Sequence, residues 1–247
     1  DPRPNNRNIW YQDFLNYKKK YPKTKIIQRV GDIGTHSKPD LNKLVKETVQ
    51  YSDFIVFPSE WSMKSIHYDK KNYEIIENSP LKVFSNSKKN KNLDLKKVKI
   101  VTHHWSNNEM KGLDCYEFMD DYVSKNDNFT FTYIGNCKKQ LKNSTMIAPL
   151  SGLSLGEELS KYDLYVSGTR FDPGPNHIIE SVACGIPTLV YELGGGAVEF
   201  AGKQNTFSNF QELGKMLNSD ITKIKNAYQP YSWEQCMSRV IEIVEAI

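Results

Sequence analysis

The stretch that decides the fold is YVSGTRFDPGPNHIIESVACGIPTLVYELGGG, residues 165–196. Its apolar start predicts a strand, the segment ending at Cys184 has the apolar spacing of an amphipathic helix, and Thr188–Leu193 predicts a second strand. Two strands joined through a helix indicate a parallel sheet with a right-handed crossover. Polar residues cluster in the loop between the first strand and the helix. In a doubly wound parallel sheet that loop lies at the edge where ligands bind, so this stretch also indicates where function resides.

The rest of the chain repeats this alternation of strands and helices. The predicted strands are Lys25–Val30, Phe54–Pro58, Tyr73–Glu77, Val98–His103, Phe129–Ile134, Thr145–Ala148, Leu164–Ser167, Thr188–Tyr191 and Thr206–Phe207. The predicted helices include Ile9–Tyr21, Pro39–Tyr51, Ser62–Tyr68, Gly112–Ser124, one ending at Tyr162 and the closing helix Trp233–Ile247. Phe84–Lys97 is rich in Ser, Asn and Lys, which indicates a linker between two domains or a long surface loop within one. We expect Asp1–Asn8 to be loose.

Composition excludes several classes of function. The 247 residues include 33 Lys and Arg against 29 Asp and Glu, a net charge of +4, and five of the basic residues are arginine. Nucleic-acid readers use more arginine to clamp phosphate and read guanine, so no nucleic-acid partner is expected. The four cysteines show no paired spacing, which favours reduced thiols over a zinc site or a disulfide framework. With no signal peptide and no apolar stretch of roughly 20 residues, we expect a soluble, cytoplasmic protein. The start at Asp1 leaves open that the chain is part of a larger polypeptide.

The helix in the opening stretch begins as an anion site would. Pro175 suits the first helical position, where its missing N–H is not needed. The N–H groups of Asn176 and His177 then point outward, and together with the positive end of the helix dipole they favour a bound anion. Gly174 would let the backbone approach a phosphate closely. This pattern predicts a phosphate-binding loop.

Two carboxylates flank that loop. Asp172 precedes the helix and Glu180 lies a turn and a half inside it. Carboxylates on either side of a phosphate site could accept hydrogen bonds from the hydroxyls of a sugar and a ribose. An ordinary capped helix, with Asp172 in a turn and Glu180 exposed, is the alternative that spacing leaves open.

Residues 171–200, FDPGPNHIIESVACGIPTLVYELGGGAVEF, resemble the nucleotide-sugar-binding signature of the family 4 glycosyltransferases, which are retaining enzymes of the GT-B fold. The elements of that signature occur here in order. Asp172 is followed by seven other residues and then Glu180. A Gly-Ile-Pro turn follows at 185–187 and a glycine-rich loop at 194–196.

Lys111–Gly112 resembles the Lys-Gly pair of the family's first donor loop, and the resemblance as a whole extends over roughly residues 25–245. It implies an α/β, GT-B-like fold: a C-terminal Rossmann-like doubly wound parallel sheet plus a reduced N-terminal α/β domain. The implied domains are an acceptor-side domain at 1–90, a donor-binding domain at 91–230 and a C-terminal helix at 231–247 that crosses back to the N-terminal part.

The resemblance also implies roles for individual residues. Glu180 would bind the ribose of the nucleotide, and Asp172 would hold hydroxyls of the donor sugar near the reacting face. Lys111 would neutralise the diphosphate, which the N–H groups of Asn176 and His177 would cradle. Such electrostatic stabilisation is often the largest single contribution to catalysis. The chain has no Asp-x-Asp motif, and no metal or other cofactor is expected.

Further expected donor-site residues lie at a position where the chain differs from the family pattern and in the loops next to the helix. Ser106 stands where the family usually has an arginine, and Arg170 could supply the missing guanidinium or be a surface arginine beside the loop. Gly174 belongs to the phosphate loop. Pro149 and Leu150 lie in the loop whose backbone groups would contact the base.

The five histidines have different expected roles. His36 follows a glycine-containing loop at a strand end, and it could bind acceptor or leaving-group oxygens or be a plain loop residue. His103 and His104 close a strand at the ligand edge, where one is expected to face the donor, which we assign to His103, and the other the core. We expect His177 to contribute its backbone rather than its ring, and His67 to be a surface residue.

The sequence therefore predicts a retaining, metal-independent glycosyltransferase that moves a sugar from a UDP- or GDP-sugar to an acceptor hydroxyl on a glycan or lipid-linked glycan. Asp172, Lys111 and His36 are the expected catalytic residues. A non-catalytic module that binds nucleotide sugar and scaffolds a partner, and an epimerase or hydrolase of nucleotide sugars, are the alternatives. A nicotinamide-dependent dehydrogenase is disfavoured because no Gly-x-Gly-x-x-Gly follows an early strand.

Overall fold

The structure, a computed structural model, describes residues 9–86 and 96–247. Its contacts divide the described chain into two compact units. The small unit comprises the described residues up to Asn78, Asp172–Gly174 and Glu234–Ile247. The large unit comprises the described residues of Ser79–Phe171 together with Pro175–Trp233. The predicted loose start and the predicted boundary between residues 90 and 91 lie outside the described residues.

Strands and helices alternate through both units. The strands are β1 (Ile27–Arg29), β2 (Phe54–Phe57), β3 (Tyr73–Ile75), β4 (Val98–His104), β5 (Phe129–Gly135), β6 (Thr145–Ile147), β7 (Leu164–Ser167), β8 (Thr188–Tyr191) and β9 (Thr206–Phe207). The α-helices are α1 (Tyr11–Lys20), α2 (Pro39–Thr48), α3 (Glu60–Ser65), α4 (Lys82–Asn86), α5 (Leu113–Ser124), α6 (Gly152–Leu159), α7 (Asn176–Ala183), α8 (Gly196–Ala201), α9 (Phe210–Leu217) and α10 (Trp233–Ala246). No helix within the described ranges combines the length and apolar character needed to cross a bilayer.

The large unit is built on one parallel sheet with the strand order β6-β5-β4-β7-β8-β9. Its first strand along the chain, β4, therefore lies in the middle, with the next two strands on one side and the last three on the other. This is the order of a doubly wound nucleotide-binding sheet. The chain reverses direction across the sheet between β4 and β7, so a crevice is expected outside the carboxyl ends of these two strands.

Two apolar clusters cover the two faces of this sheet. Because side chains alternate along a strand, Val98 and Ile100 of β4 pack into one cluster while Val101 packs into the other. The first cluster contains the apolar faces of α5 and α9, and the second contains those of α6, α7 and α8. As a central strand, β4 is covered on both faces, and six of its seven residues are buried although Thr102, His103 and His104 are polar.

The small unit has a three-stranded parallel sheet with the order β1-β2-β3. Its main cluster packs α2 against the sheet through Leu41, Val45 and Val49. A second cluster forms where Cys236 and Ile243 of α10 pack with Val56 and Ile76.

All nine predicted strands are confirmed, but two local predictions are wrong. The helix predicted over Ser62–Tyr68 is α3, which begins at Glu60 because the Ser59 hydroxyl caps it by accepting from the Ser62 N–H at 3.1 Å. His67 has a φ of 57°, a conformation that ends the helix.

The predicted linker is wrong at its first residue. Phe84 lies in α4, is 1% exposed and packs into the second cluster of the large unit. A single aromatic residue at the start of a polar run therefore belongs to the core, while residues 87–95 of that run lie outside the described residues.

Candidate nucleotide-binding site

The carboxyl ends of β4 and β7 lie side by side where the strand order reverses. β4 pairs with β7 through Ile100–Leu164 and Val101–Tyr165, and beyond this pairing β4 continues to His103 and His104. The loop after β7 begins at Gly168. Several of the sequence-predicted residues therefore occupy the expected ligand edge of the large unit.

His103 joins two elements at this edge. Its ring nitrogen Nε2 lies 2.8 Å from Oε2 of Glu180 on α7, and the Tyr165 hydroxyl lies 3.1 Å from its Nδ1. One arrangement satisfies both contacts: Tyr165 donates to Nδ1, and Nε2–H donates to the carboxylate. The chain thus holds one oxygen of Glu180 in a defined direction. Glu180 is only partly exposed, with 24% of its side chain accessible, which differs from the exposed Glu180 of the capped-helix alternative.

Tyr165 was not recognised as a site residue from the sequence. Its hydroxyl accepts a hydrogen bond from the His103 backbone N–H at 3.0 Å, and burial raises the pKa of the phenol far above its usual value. It therefore stays protonated and can act as the donor to His103. A tyrosine inside an otherwise aliphatic buried strand was the available signal, because a buried hydroxyl needs a partner.

The neighbouring His104 faces the other side of the sheet. Its Nε2 contacts the hydroxyl of Tyr116 on α5, which also accepts from the Gly168 N–H at 3.2 Å. Burial raises the pKa of Tyr116 well above its ordinary value. Alternation along β4 thus separates the two histidines, with His103 on the α7 side and His104 on the α5 side, and both are buried.

The start of α7 differs by one residue from the prediction. Pro175 is the N-cap rather than the first helical residue, and its carbonyl accepts from the N–H groups of Ile178 and Ile179 at 3.0 and 3.2 Å. Asn176 and His177 are therefore the first two helical residues. The His177 ring is buried, with Nε2 lying 3.1 Å from each of the Ser167 and Thr169 hydroxyls, so this ring ties α7 to the end of β7.

Lys111 ends a short 3-10 helix, Glu109–Lys111, in the loop after β4. Gly112, with a φ of 83°, is the N-cap of α5, and a Cβ there would lie 2.2 Å from the Gly168 carbonyl oxygen. The Arg170 N–H donates to the Met110 carbonyl at 2.8 Å. The loops after β4 and β7 are therefore held together by backbone contacts, and only glycine fits after Lys111.

Arg170 is engaged by a partner that the sequence did not indicate. Its guanidinium donates to both carboxylate oxygens of Asp114 at 2.9 and 2.6 Å and lies 5.0 Å from the centre of the Tyr191 ring. Hydrogen bonding to Asp114 raises the pKa of Arg170. Burial would raise the pKa of Asp114, but the hydrogen bonds and charge of Arg170 outweigh it and lower that pKa.

The other predicted residues of the large unit line the neighbouring loops. Ser106 is exposed, and its hydroxyl accepts from the Asn108 N–H at 3.2 Å within the loop after β4. Pro149 and Leu150 are half-buried in the loop after β6, where Leu150 packs against the second apolar cluster.

Three predicted residues belong to the small unit. Asp172 is 7% exposed, and its Oδ1 accepts from the Gly174 N–H at 3.3 Å. The segment around them is anchored within that unit, since the Ser59 hydroxyl donates to the Pro173 carbonyl at 2.6 Å and Asn78 donates to the Gly174 carbonyl at 3.2 Å. His36 is half-buried in the loop after β1.

Among residues 9–86 and 96–247, no group of three or more His, Cys, Asp and Glu side chains could hold a metal ion. This edge of the large unit carries a carboxylate held by a histidine, a lysine and the start of a helix, which are groups that offer hydrogen bonds and charge.

No protein-family model and no curated protein sequence matches the chain. Solved structures do resemble it. Sucrose-phosphate synthase from Thermosynechococcus elongatus matches with a TM-score of 0.68 at 12% identity over 94% of this chain and 71% of that one. TarM matches with a TM-score of 0.70 at 13% identity over 95% of this chain and 53% of that one. A mutant of S. aureus TarM, in complex with fondaparinux, alpha-GlcNAc-glycerol and UDP, matches with a TM-score of 0.64 at 13% identity over 93% and 53%.

These likenesses establish the fold. The chain has the expected α/β, GT-B-like fold, with a Rossmann-like parallel sheet and a reduced N-terminal α/β unit. It spans about half the length of TarM and 71% of the synthase.

Proposed function

We propose that the chain is a retaining, metal-independent glycosyltransferase of the family 4 type, acting in the cytoplasm. It would move a sugar from a UDP- or GDP-sugar to an acceptor hydroxyl on a glycan or lipid-linked glycan. The observation that carries this proposal is the His103–Glu180 pair, at 2.8 Å, beside the point where a doubly wound sheet reverses its strand order. The TarM structure with UDP supports a nucleotide donor by analogy of fold.

Glu180 is proposed to bind the ribose. An ionised carboxylate offers about four lone-pair directions, of which His103 takes one. A ribose diol supplies two hydroxyl donors that a carboxylate can accept together. Holding Oε2 in advance reduces the ordering that donor binding would otherwise require.

The diphosphate is proposed to lie against Lys111 and the N–H groups of Asn176 and His177, at the positive end of α7. Negative charge develops on the leaving phosphate as its bond to the sugar breaks, and these groups would stabilise it. Arg170 would add a guanidinium beside this site.

Transfer with retention is proposed to proceed by front-face displacement. The acceptor oxygen bonds to the sugar carbon on the face from which the diphosphate leaves, and the acceptor proton passes to the departing phosphate oxygen. Asp172 would hold sugar hydroxyls during this step, and His36 would contact acceptor or leaving-group oxygens.

The remaining predicted residues are proposed to complete the donor site. Gly174 and Ser106 would allow and support the approach of the phosphates, and backbone groups at Pro149 and Leu150 would contact the base.

A thermal-shift series with UDP, GDP, ADP and TDP tests the donor site, since a ligand that binds only the folded chain raises its Tm. We expect UDP or GDP to stabilise the chain by about 2.7 kcal/mol at a hundredfold excess over Kd. Glu180→Gln should weaken the binding of that nucleotide by roughly tenfold or more, because a hydrogen bond to a charged group contributes about 1.5–3 kcal/mol. Glu157→Gln is the matched control, as Glu157 is an exposed residue of α6 in the same unit.

Equal affinity of both variants and the wild type for the nucleotide would contradict the role of Glu180. Product analysis then separates the rival functions. Release of free sugar without an acceptor would identify a hydrolase, and donor binding without turnover would identify a scaffold. Loss of transfer on adding EDTA would overturn metal independence.

A further inference from the structure

Helix α1 of the small unit and its two capping residues carry an aromatic stripe, which we define as Trp10, Phe14, Tyr17 and Tyr21. These residues follow one another at intervals of four, three and four, so they lie along one face of the helix. They are 42%, 54%, 56% and 46% exposed. Large aromatic side chains aligned on one face and left accessible indicate a surface that another body covers.

Two side-chain contacts of α1 lie outside this stripe. Lys18 pairs with Asp53 at 2.5 Å and the Tyr11 hydroxyl donates to Glu47 at 3.0 Å, so the helix is attached through polar side chains. None of the ten residues of α1 is buried. A groove of about 260 Å³ remains between the helix and its neighbours, and it is lined among others by Phe14, Leu15 and Ile27, so one ring of the stripe borders the groove.

Positive charge accompanies the stripe. Residues 9–26 contain five lysines and one acidic residue, Asp13, so their net charge is 5 − 1 = +4. The lysines are Lys18, Lys19, Lys20, Lys23 and Lys25. The Lys20 ammonium lies 5.4 Å from the centre of the Tyr21 ring. The occupant of this surface should therefore be apolar enough for aromatic rings and negatively charged.

We propose that the aromatic stripe lies on an anionic lipid surface. Trp and Tyr favour the boundary between acyl chains and headgroups because each has an apolar body and a polar tip. Lysine is depleted from protein–protein interfaces, whereas it strengthens binding to anionic lipid. The lysines thus favour a lipid surface over a protein partner. The inference is independent of the proposed function.

Co-sedimentation of the full chain with vesicles tests this proposal. The probes are vesicles of phosphatidylcholine alone and vesicles of phosphatidylcholine mixed with phosphatidylglycerol. We expect the chain to sediment with the mixed vesicles and not with the neutral ones, and to be released as salt screens the lysines.

Two double variants separate the aromatic and the electrostatic contributions to vesicle binding. Phe14→Ser with Tyr17→Ser should weaken binding roughly tenfold or more, because two aromatic rings no longer leave water. Lys20→Glu with Lys23→Glu should weaken it about 25-fold or more, since each lysine near the surface contributes roughly fivefold. Ile241→Ser on α10 and Lys43→Glu on α2 are matched controls, because both residues are exposed in the same unit, and both should bind as the wild type does.

The variants alter exposed side chains, so their Tm should match that of the wild type, and this is checked first. Equal binding to neutral and anionic vesicles, or unchanged binding of the aromatic variant, would overturn the proposal. A dimer in sedimentation equilibrium that the aromatic variant dissociates would assign the stripe to a second copy of the chain and would likewise overturn it.

Discussion

Helices α1 and α7 both follow from apolar spacing in the sequence, yet they use their apolar faces differently. In α7 six of eight residues are buried against the large sheet. In α1 none of ten is buried, and the four residues of the aromatic stripe are accessible. Periodicity thus predicts that a helix forms, and it does not say what covers the apolar face.

Topology explains the difference. α7 connects the parallel neighbours β7 and β8, and such a crossover must lie on a face of the sheet. Among residues 9–86 and 96–247, no strand precedes α1, and the side-chain contacts of this helix include Lys18–Asp53. A helix between parallel strands is therefore buried by the connectivity, whereas a helix outside them is not.

The sharpest test truncates one apolar residue on each helix. Ile178→Ala on α7 removes a fully buried side chain and should lower the free energy of unfolding by about 2–5 kcal/mol. Phe14→Ala on α1 should change it by about 0.5 kcal/mol or less, because the ring is more than half exposed. Urea unfolding of both variants measures this difference in the free energy of unfolding, provided that the slope of that free energy against urea concentration is the same for both. Similar losses at both positions would show that the stripe is part of a core.

Much of the fold could be predicted because each strand is bounded by local signals. The strands Leu164–Ser167 and Thr188–Tyr191 were predicted at their observed bounds, since both are short apolar runs next to glycine-containing turns. The polar neighbours of Phe84 predict a linker, because the core residues against which it packs are distant in sequence and leave no local signal.

The sequence indicated which edge of the sheet holds the residues of the candidate site, but it did not indicate which side chains contact each other there. Position at the end of β4 indicated that His103 lies at the ligand edge. Its partner Glu180 is 77 residues away, and Asp114 is 56 residues from Arg170, so neither pair leaves a local signal. Only the folded sheet brings these residues together.

Buried polar contacts offer a second contrast between the two helices' units. In the large unit, Asp120 of α5 is 9% exposed and accepts from the N–H groups of Lys142 and Asn143 at 3.0 and 2.8 Å and from the Ser144 hydroxyl at 2.6 Å. Asp120→Asn should cost about 1–3 kcal/mol, because an amide cannot accept all these bonds.

The pH dependence of that loss checks its cause. Burial would raise the pKa of Asp120, but the hydrogen bonds from Ser144, Asn143 and Lys142 outweigh it and lower the pKa. The carboxylate's contribution is therefore fully present above its unfolded pKa, about 3.9, and is lost as pH falls through the lower folded value. The stability gap between wild type and Asp120→Asn should close below about pH 4. A gap that persists in acid would assign the loss to packing.

The smallest expected effect is at Asp53, which holds α1 through Lys18 and also accepts from the Ile26 N–H at 2.7 Å. Asp53→Asn should lower the free energy of global unfolding by about 1 kcal/mol or less, because the pair with Lys18 is partly exposed. Amide exchange in α1 should nevertheless accelerate, since this contact helps to hold the helix, while exchange in α7 should stay unchanged. If α1 and α7 lost protection together, α1 would belong to the same cooperative unit as the large sheet, and its position would not depend on polar side chains alone.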